Sequence, residues 1–299
     1  MPGPREGAAL AGSQNPRKQQ ALTGASSVWS AALILELNST LLIVCLALSF
    51  LLPPLTCAQT VRIPAASDLQ FAMDDLATRY QTQTDKKLTL TYGSSGNFYA
   101  QIQNGAPFDL FFSADVLYAQ KLVEVHLADP DSLFIYARGQ IVLWAPADAH
   151  LNLSQTGFAA LRDPRVQKIA IANPDHAPYG RAAVAALEHA GVLEQIKSKL
   201  VYDENISQAA QFAQSGSAQI GILALSLALS PTMKSGDHWL IPPDFYLPLE
   251  QAAVLLNSSP SKTDARAFLE FVKSGMGRRV PSEHGFTLPK SARPGAQLP

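Results

Sequence analysis

Two short turns of small residues carry the chemistry this chain can do: Gly93-Ser94-Ser95-Gly96-Asn97 and Ala65-Ala66-Ser67-Asp68. Each lies between an apolar run and a helical pattern, so each places hydroxyls and bare backbone N–H groups at a helix start. The first turn of a helix has unsatisfied donors and a partial positive charge, which makes it a cradle for an anion. No Lys or Arg lies between Leu88 and Gln120, or between Pro64 and Thr78. A site built from neutral donors suits a small dehydrated oxyanion better than a phosphate ester or a nucleic acid.

Two more strand-to-helix junctions repeat the theme. Asn173-Pro174-Asp175-His176-Ala177-Pro178-Tyr179-Gly180 is one, and Asp203-Glu204-Asn205-Ile206 is the other. Taken alone, any of the four is a helix cap and nothing more. Four together exceed what capping needs. Asp68 before Leu69 and Asn97 before Phe98 read as N-caps. A carboxylate about 4 Å from a dianion would repel it by roughly 8 kcal/mol at an effective dielectric near 20, so the Asp68 side chain is expected to turn back onto the N–H of Gln70 or Phe71.

Other chemistries find little support. The six His residues, at 126, 150, 176, 189, 238 and 284, show no metal-ligand spacing. His176 and Arg181 flank a suspicious loop, but a lone loop His and a first-turn Arg are more often structural or solvated. Ser259-Pro260-Ser261-Lys262 matches S-x-x-K by letters only and lacks partner motifs. Ser95 as a nucleophile would need a base within about 3 Å.

The elements that must hold these turns alternate in type. Short apolar strands are expected at 61–66, 88–92, 109–113, 168–172, 200–202, 220–223 and 252–256, with two more around Gly139 within 135–144. Helical spacing follows most of them, as in Leu69, Ala72, Met73, Leu76, Ala77 and Tyr80. Repeated strand–helix pairs predict α/β architecture with parallel or mixed sheets, whose ligands bind off the carboxyl ends of the strands. The turns lie at those ends. Residues 290–299 read as a frayed tail.

The net charge of -1 and hydrophobic fraction of 47% fit a globular protein with no basic stripe, which argues against nucleic acid as a partner. Residues 1–58 differ in kind: a polar stretch with Arg5, Arg17 and Lys18, an apolar run over 41–52, then Pro53-Pro54 and Thr56-Cys57-Ala58. This reads as a leader and secretory signal that is removed, with an apolar run short for a membrane span. A lipid anchor on Cys57 is the rival reading, and Pro54-Leu55-Thr56 fits it poorly. Cys45 and Cys57 are the chain's two cysteines; both fall in that segment, so the mature chain would have no disulfide or thiolate chemistry.

In this order, the residues resemble the periplasmic molybdate-binding proteins of ABC importers, the ModA family. The resemblance runs over 61–289. Its most specific parts are Gly93-Ser94-Ser95-Gly96 with Gln101-Ile102, the stretch from Gly105-Ala106-Pro107-Phe108-Asp109 through Ser113-Ala114-Asp115, the loop ending in Tyr179-Gly180, and Gly285-Phe286-Thr287. It implies a type II periplasmic binding protein: one α/β domain from 61–137 plus 246–299, another from 138–245, joined by a two-strand hinge. It implies capture of molybdate, and of tungstate with it, without catalysis or cofactor, and delivery to the permease and ATPase of an ABC importer from the periplasm, as a monomer. Carried over, the ligand-binding residues are Ser67 and Asp68 in the first turn, Ser95 through hydroxyl and N–H, and Tyr179 and Ile206 through their N–H groups; molybdenum is held only as its oxyanion. Two departures stand out. Ala224 occupies the place where many members have a Tyr that contacts the ligand, and Asp68 is inserted where many place Ser directly before Leu. A site for another tetrahedral anion such as sulfate is the alternative.

Overall fold

The structure is a computed structural model and describes residues 60–289, which belong to one compact unit. The expected leader, with Cys45 and Cys57, and the tail at 290–299 lie outside the described residues. Two five-stranded mixed sheets organise the chain. The first is built from β1 (Val61–Ala66), β2 (Leu88–Gly93), β3 (Leu110–Ser113), β4 (Phe134–Gly139) and β10 (Leu249–Leu255), in the order β2-β1-β3-β10-β4. The second is built from β5 (Ile141–Ala145), β6 (Ile169–Ala172), β7 (Leu200–Asp203), β8 (Ile220–Ala224) and β9 (Asp237–Leu240), in the order β7-β6-β8-β5-β9.

The two sheets repeat one plan. In each, the second strand from one edge pairs in parallel with both neighbours: β1 with β2 and β3, β6 with β7 and β8. In each, one strand runs antiparallel to its two neighbours: β10 in the first, β5 in the second. The chain passes from one sheet to the other at Gln140, between β4 and β5, and returns between β9 and β10.

Sequence pattern explains the layering. Phe111 and Phe112 are adjacent in β3, so their side chains leave opposite faces. Phe112 joins Ile63, Met73 and Phe268 in one cluster, while Phe111 joins Phe98, Leu122 and Val254 in another. The first sheet is therefore covered on both faces, by helix α1 (Gln70–Thr84) on one side and by α2 (Ser95–Gln103) and α3 (Val116–Glu124) on the other. Burial on both faces also explains why β3 and β6 read as continuous apolar runs rather than alternating ones.

Several boundaries move from their sequence-based positions. Helix α2 starts at Ser95, so Asn97 lies inside it and does not cap it. The helices read from Arg181 and Ser207 begin earlier, as α4 (Pro178–His189) and α5 (Ile206–Gln214). A strand at Asp237–Leu240 and a helix at Gly275–Glu283 were not expected. The first presents partly exposed His238 and Trp239, and the second contains two Gly and an internal Pro281, so propensity spoke against both.

Candidate functional site

The repeated plan places four turns in equivalent positions. β1 leads into the 3-10 turn Ser67–Leu69, and β2 leads through Ser94 into α2. In the other sheet, β6 leads through 173–177 into α4, and β7 leads through Glu204 and Asn205 into α5. All four meet at one cavity. Ser67, Asp68, Ser94 and Ser95 line it from the first sheet, and Tyr179 and Ile206 from the second. Its internal volume is about 10 Å³, close to the space one water-sized sphere needs. Among the described residues no Lys or Arg lines it.

Local structure decides which donors remain free. At the start of α5, the Asn205 carbonyl oxygen Oδ1 accepts from Ser207 N at 3.0 Å and Gln208 N at 3.1 Å. The cap consumes those two N–H groups and leaves that of Ile206 without a partner in the helix. At the start of α4, Pro178 occupies the first position, where a missing N–H costs nothing, and Tyr179 supplies the first N–H of the helix. Ser95 opens α2 and is 1% exposed. Its Oγ accepts from Ala114 N at 2.9 Å, which fixes the oxygen and leaves the hydroxyl proton to be donated elsewhere. Ser67 Oγ likewise accepts from Ser207 N at 3.3 Å.

Asp68 departs from expectation. Neither the Ser67–Leu69 turn nor α1 has a side-chain cap at its start. The carboxyl points away from Gln70 and Phe71 and into the interior. Its Oδ2 accepts from the Tyr179 hydroxyl at 2.9 Å and from the Gln251 amide, while Oδ1 has no hydrogen-bond partner. Gln251 in turn accepts at Oε1 from the Tyr136 hydroxyl at 2.9 Å. Burial pushes the Asp68 carboxyl up to about 6, against hydrogen bonds from Gln251, Tyr179 and its own backbone N–H that lower it. Space here is tight: a Cβ on Gly139 would lie 2.1 Å from the Tyr179 hydroxyl oxygen. Ala224, at the end of β8, is fully buried and does not line the cavity, while nearby Ser226 donates to the Asp68 carbonyl at 2.8 Å.

Further side chains join the two sheets around the cavity. The His176 carbonyl accepts from Ser94 Oγ at 2.7 Å and from Gly96 N at 2.9 Å. The His176 ring nitrogen Nδ1 lies 3.0 Å from Ser94 Oγ, so this His meets Ser94 rather than Ser95. Arg181 keeps a partly exposed side chain and does not line the cavity; it pairs with Asp115 at 2.6 Å and donates to the Tyr118 hydroxyl at 3.2 Å. Asn97 donates to Glu204 at 3.1 Å. Sequence reading placed Ser94 in a donor turn without giving it a role, and missed Gln251, Ser226 and this rim of bridges. A Gln at the head of the apolar run Ala252-Ala253-Val254-Leu255 was an available signal, since a buried amide needs partners. Among the described residues no group of three or more His, Cys, Asp or Glu could hold a metal ion.

Twin mixed α/β sheets with a small cavity of hydroxyl and N–H donors and one buried carboxyl between their strand ends define a solute-binding protein of the periplasmic type. The sequence model of the family described as bacterial extracellular solute-binding protein matches residues 61–287. The molybdate-binding protein ModA of Azotobacter vinelandii is 35% identical over 232 residues, covering 77% of this chain and 91% of its own length. ModA of Rhodobacter capsulatus is 36% identical over 212 residues, covering 71% and 82%. The solved periplasmic molybdate-binding protein of Azotobacter vinelandii superposes with a TM-score of 0.72 at 33% identity, over 77% of this chain and all of that one. The sulfate-binding protein SubI of Mycobacterium tuberculosis reaches 0.65 at 13% identity, over 78% of this chain and 88% of its own, and shares the fold. The chain belongs to the extracellular solute-binding proteins, in the ModA family.

Proposed function

We propose that this protein captures molybdate, and tungstate with it, outside the cytoplasm and presents it to the permease and ATPase subunits of an ABC importer. The observation that carries the reading is the cavity itself. Helix starts from both sheets converge on it with hydroxyl and N–H donors and no Lys or Arg. Such donors hold a tetrahedral oxyanion by directed hydrogen bonds, and the helix ends stabilise its charge without a counter-ion. The ligand-binding set is Ser67, Ser95, and the N–H groups of Tyr179 and Ile206, with Asp68 beside them. The relatives named for molybdate binding support the choice of oxyanion.

In this reading the two sheets are the cores of two lobes, 61–137 plus 246–299 and 138–245, which close on the ligand about the strand crossings at Gln140 and 241–248. The role is capture and delivery, not catalysis, with no resident cofactor. The protein acts as a monomer in the periplasm, reached through the N-terminal leader.

A thermal-shift panel on the purified protein tests this. Molybdate and tungstate at a thousandfold excess over the dissociation constant should stabilise it by about 4 kcal/mol, and sulfate at the same concentration by far less. Equal shifts from all three ions would move the assignment to a general oxyanion site, and no shift with molybdate would remove it.

A further inference from the structure

Asp68 is a buried carboxyl in a cavity suited to an anion, and its two oxygens are in opposite states. Oδ2 accepts two hydrogen bonds, from Tyr179 and Gln251, both neutral donors. Oδ1 accepts none, although the residue is 1% exposed and lines the cavity. As a carboxylate, Asp68 would face the bound dianion with like charge and an unpaired oxygen. As a carboxylic acid it does the opposite: with the proton on Oδ1, Oδ2 keeps both of its bonds and Oδ1 becomes a donor. We propose that Asp68 is protonated when the oxyanion is bound and donates Oδ1–H to it, so that capture of the dianion takes up one proton from solvent. No bond in the ligand breaks. The inference rests on the oxyanion reading above and makes Asp68 a binding and specificity residue of the same site.

Burial acts in the same direction, since it lifts this carboxyl to about 6 and brings its protonation within reach of ordinary pH. The groups that face Asp68 leave the proton to it. Tyr179 from α4 and Tyr136 from β4 are held well above the ordinary phenol range by burial and, further, by the Asp68 charge, so both stay neutral. Arg138 on β4 and Glu250 on β10 pair with each other, and Asp74 of α1 takes the Tyr92 hydroxyl of β2. Helix α5 and the helical turn Leu225–Ala228, which pack on the Asp68 turn, carry no titratable side chain. Two other titratable side chains stand by these turns: His176, whose ring meets Ser94, and Asp203 at the end of β7, whose carboxyl burial raises.

Isothermal titration of the purified protein with sodium molybdate, in buffers of differing ionisation enthalpy, reads the proton directly. The slope of apparent enthalpy against buffer enthalpy should give about one proton taken up at pH 8 and a small fraction at pH 5, with affinity falling about tenfold per pH unit above pH 6. In Asp68→Asn, whose amide supplies a donor at every pH, the slope should vanish and the affinity should become independent of pH. Binding at pH 8 with zero proton uptake overturns the inference while leaving the oxyanion reading intact. Uptake that persists in Asp68→Asn also overturns it, assigning the proton to His176 or Asp203. No molybdate binding at any pH overturns the oxyanion reading and this inference with it.

Discussion

The turns after β1 and β2 are neighbours in one sheet, carry similar small residues and line the same cavity, yet they do different work. The β2 turn offers only neutral donors: Ser95 sits at the head of α2 with its oxygen pinned by Ala114 N–H, and Gly96 lets the backbone reach the His176 carbonyl. The β1 turn adds a carboxyl with no cation beside it, wired to Tyr179, Gln251 and Tyr136. Under the function proposed above, the difference separates two tasks of one anion site. Helix starts supply attraction that is fixed at all pH values. A buried acid supplies a term that depends on a proton and is therefore adjustable.

The largest expected effects act one on each turn. On the β2 turn, a Cβ at Gly96 would lie 2.5 Å from the His176 carbonyl oxygen, across the junction between the sheets. Gly96→Ala should weaken molybdate binding by about 3 kcal/mol through overpacking, with little change in the Tm of the unliganded protein. Equal losses in both would show that this contact supports the fold and not closure. On the β1 turn, Asp68 is held at about 6 against an ordinary 3.8. A raised acid stabilises the folded state fully below pH 3.8, and that contribution is lost as pH rises through 6. Asp68→Asn, which cannot ionise, should therefore gain stability over the wild type as pH rises, reaching about 3 kcal/mol by pH 8 and near zero at pH 4. Denaturant melts of both proteins across that range check it, and a constant difference would contradict the buried acid.

Ser95→Ala is expected to cost about 2 kcal/mol of binding and about 1 kcal/mol of fold stability, because the ligand loses a donor and Ala114 N–H loses its acceptor. If affinity were unchanged and only stability fell, the β2 turn would be a structural junction and the contrast with Asp68 would collapse. Arg181→Gln should matter least. Its pair with Asp115 is partly exposed and worth about 0.5 kcal/mol, with an effect on binding that fades as salt is added.

What the sequence revealed follows the range of the interactions involved. The strands and the four donor turns rest on neighbours within a few residues, and their apolar runs and small-residue punctuation mark them. The N–H of Ile206 is left free by an Asn205 cap one residue away, which is local chemistry. The direction of the Asp68 side chain is not local. Its partners Tyr179 and Gln251 stand 111 and 183 residues further along the chain. Reasoning from the turn alone favoured a cap onto Gln70 or Phe71, and tertiary contacts overrode it. The same holds for Arg181, which reads as a solvated first-turn residue until Asp115 and Tyr118 are brought to it by the fold. The helix at Gly275–Glu283 forms against its own propensity because Val280 and Pro281 are buried.

The central claim is that one oxyanion sits among the donors of both sheets. Crystals grown with molybdate and measured at the molybdenum absorption edge test it most directly. The account predicts a single anomalous peak in the cavity, with ligand oxygens within hydrogen-bonding distance of the Ser67 and Ser95 hydroxyls, the N–H groups of Tyr179 and Ile206, and Asp68 Oδ1. A peak elsewhere on the molecule, or a cavity left without one at saturating molybdate, would contradict it.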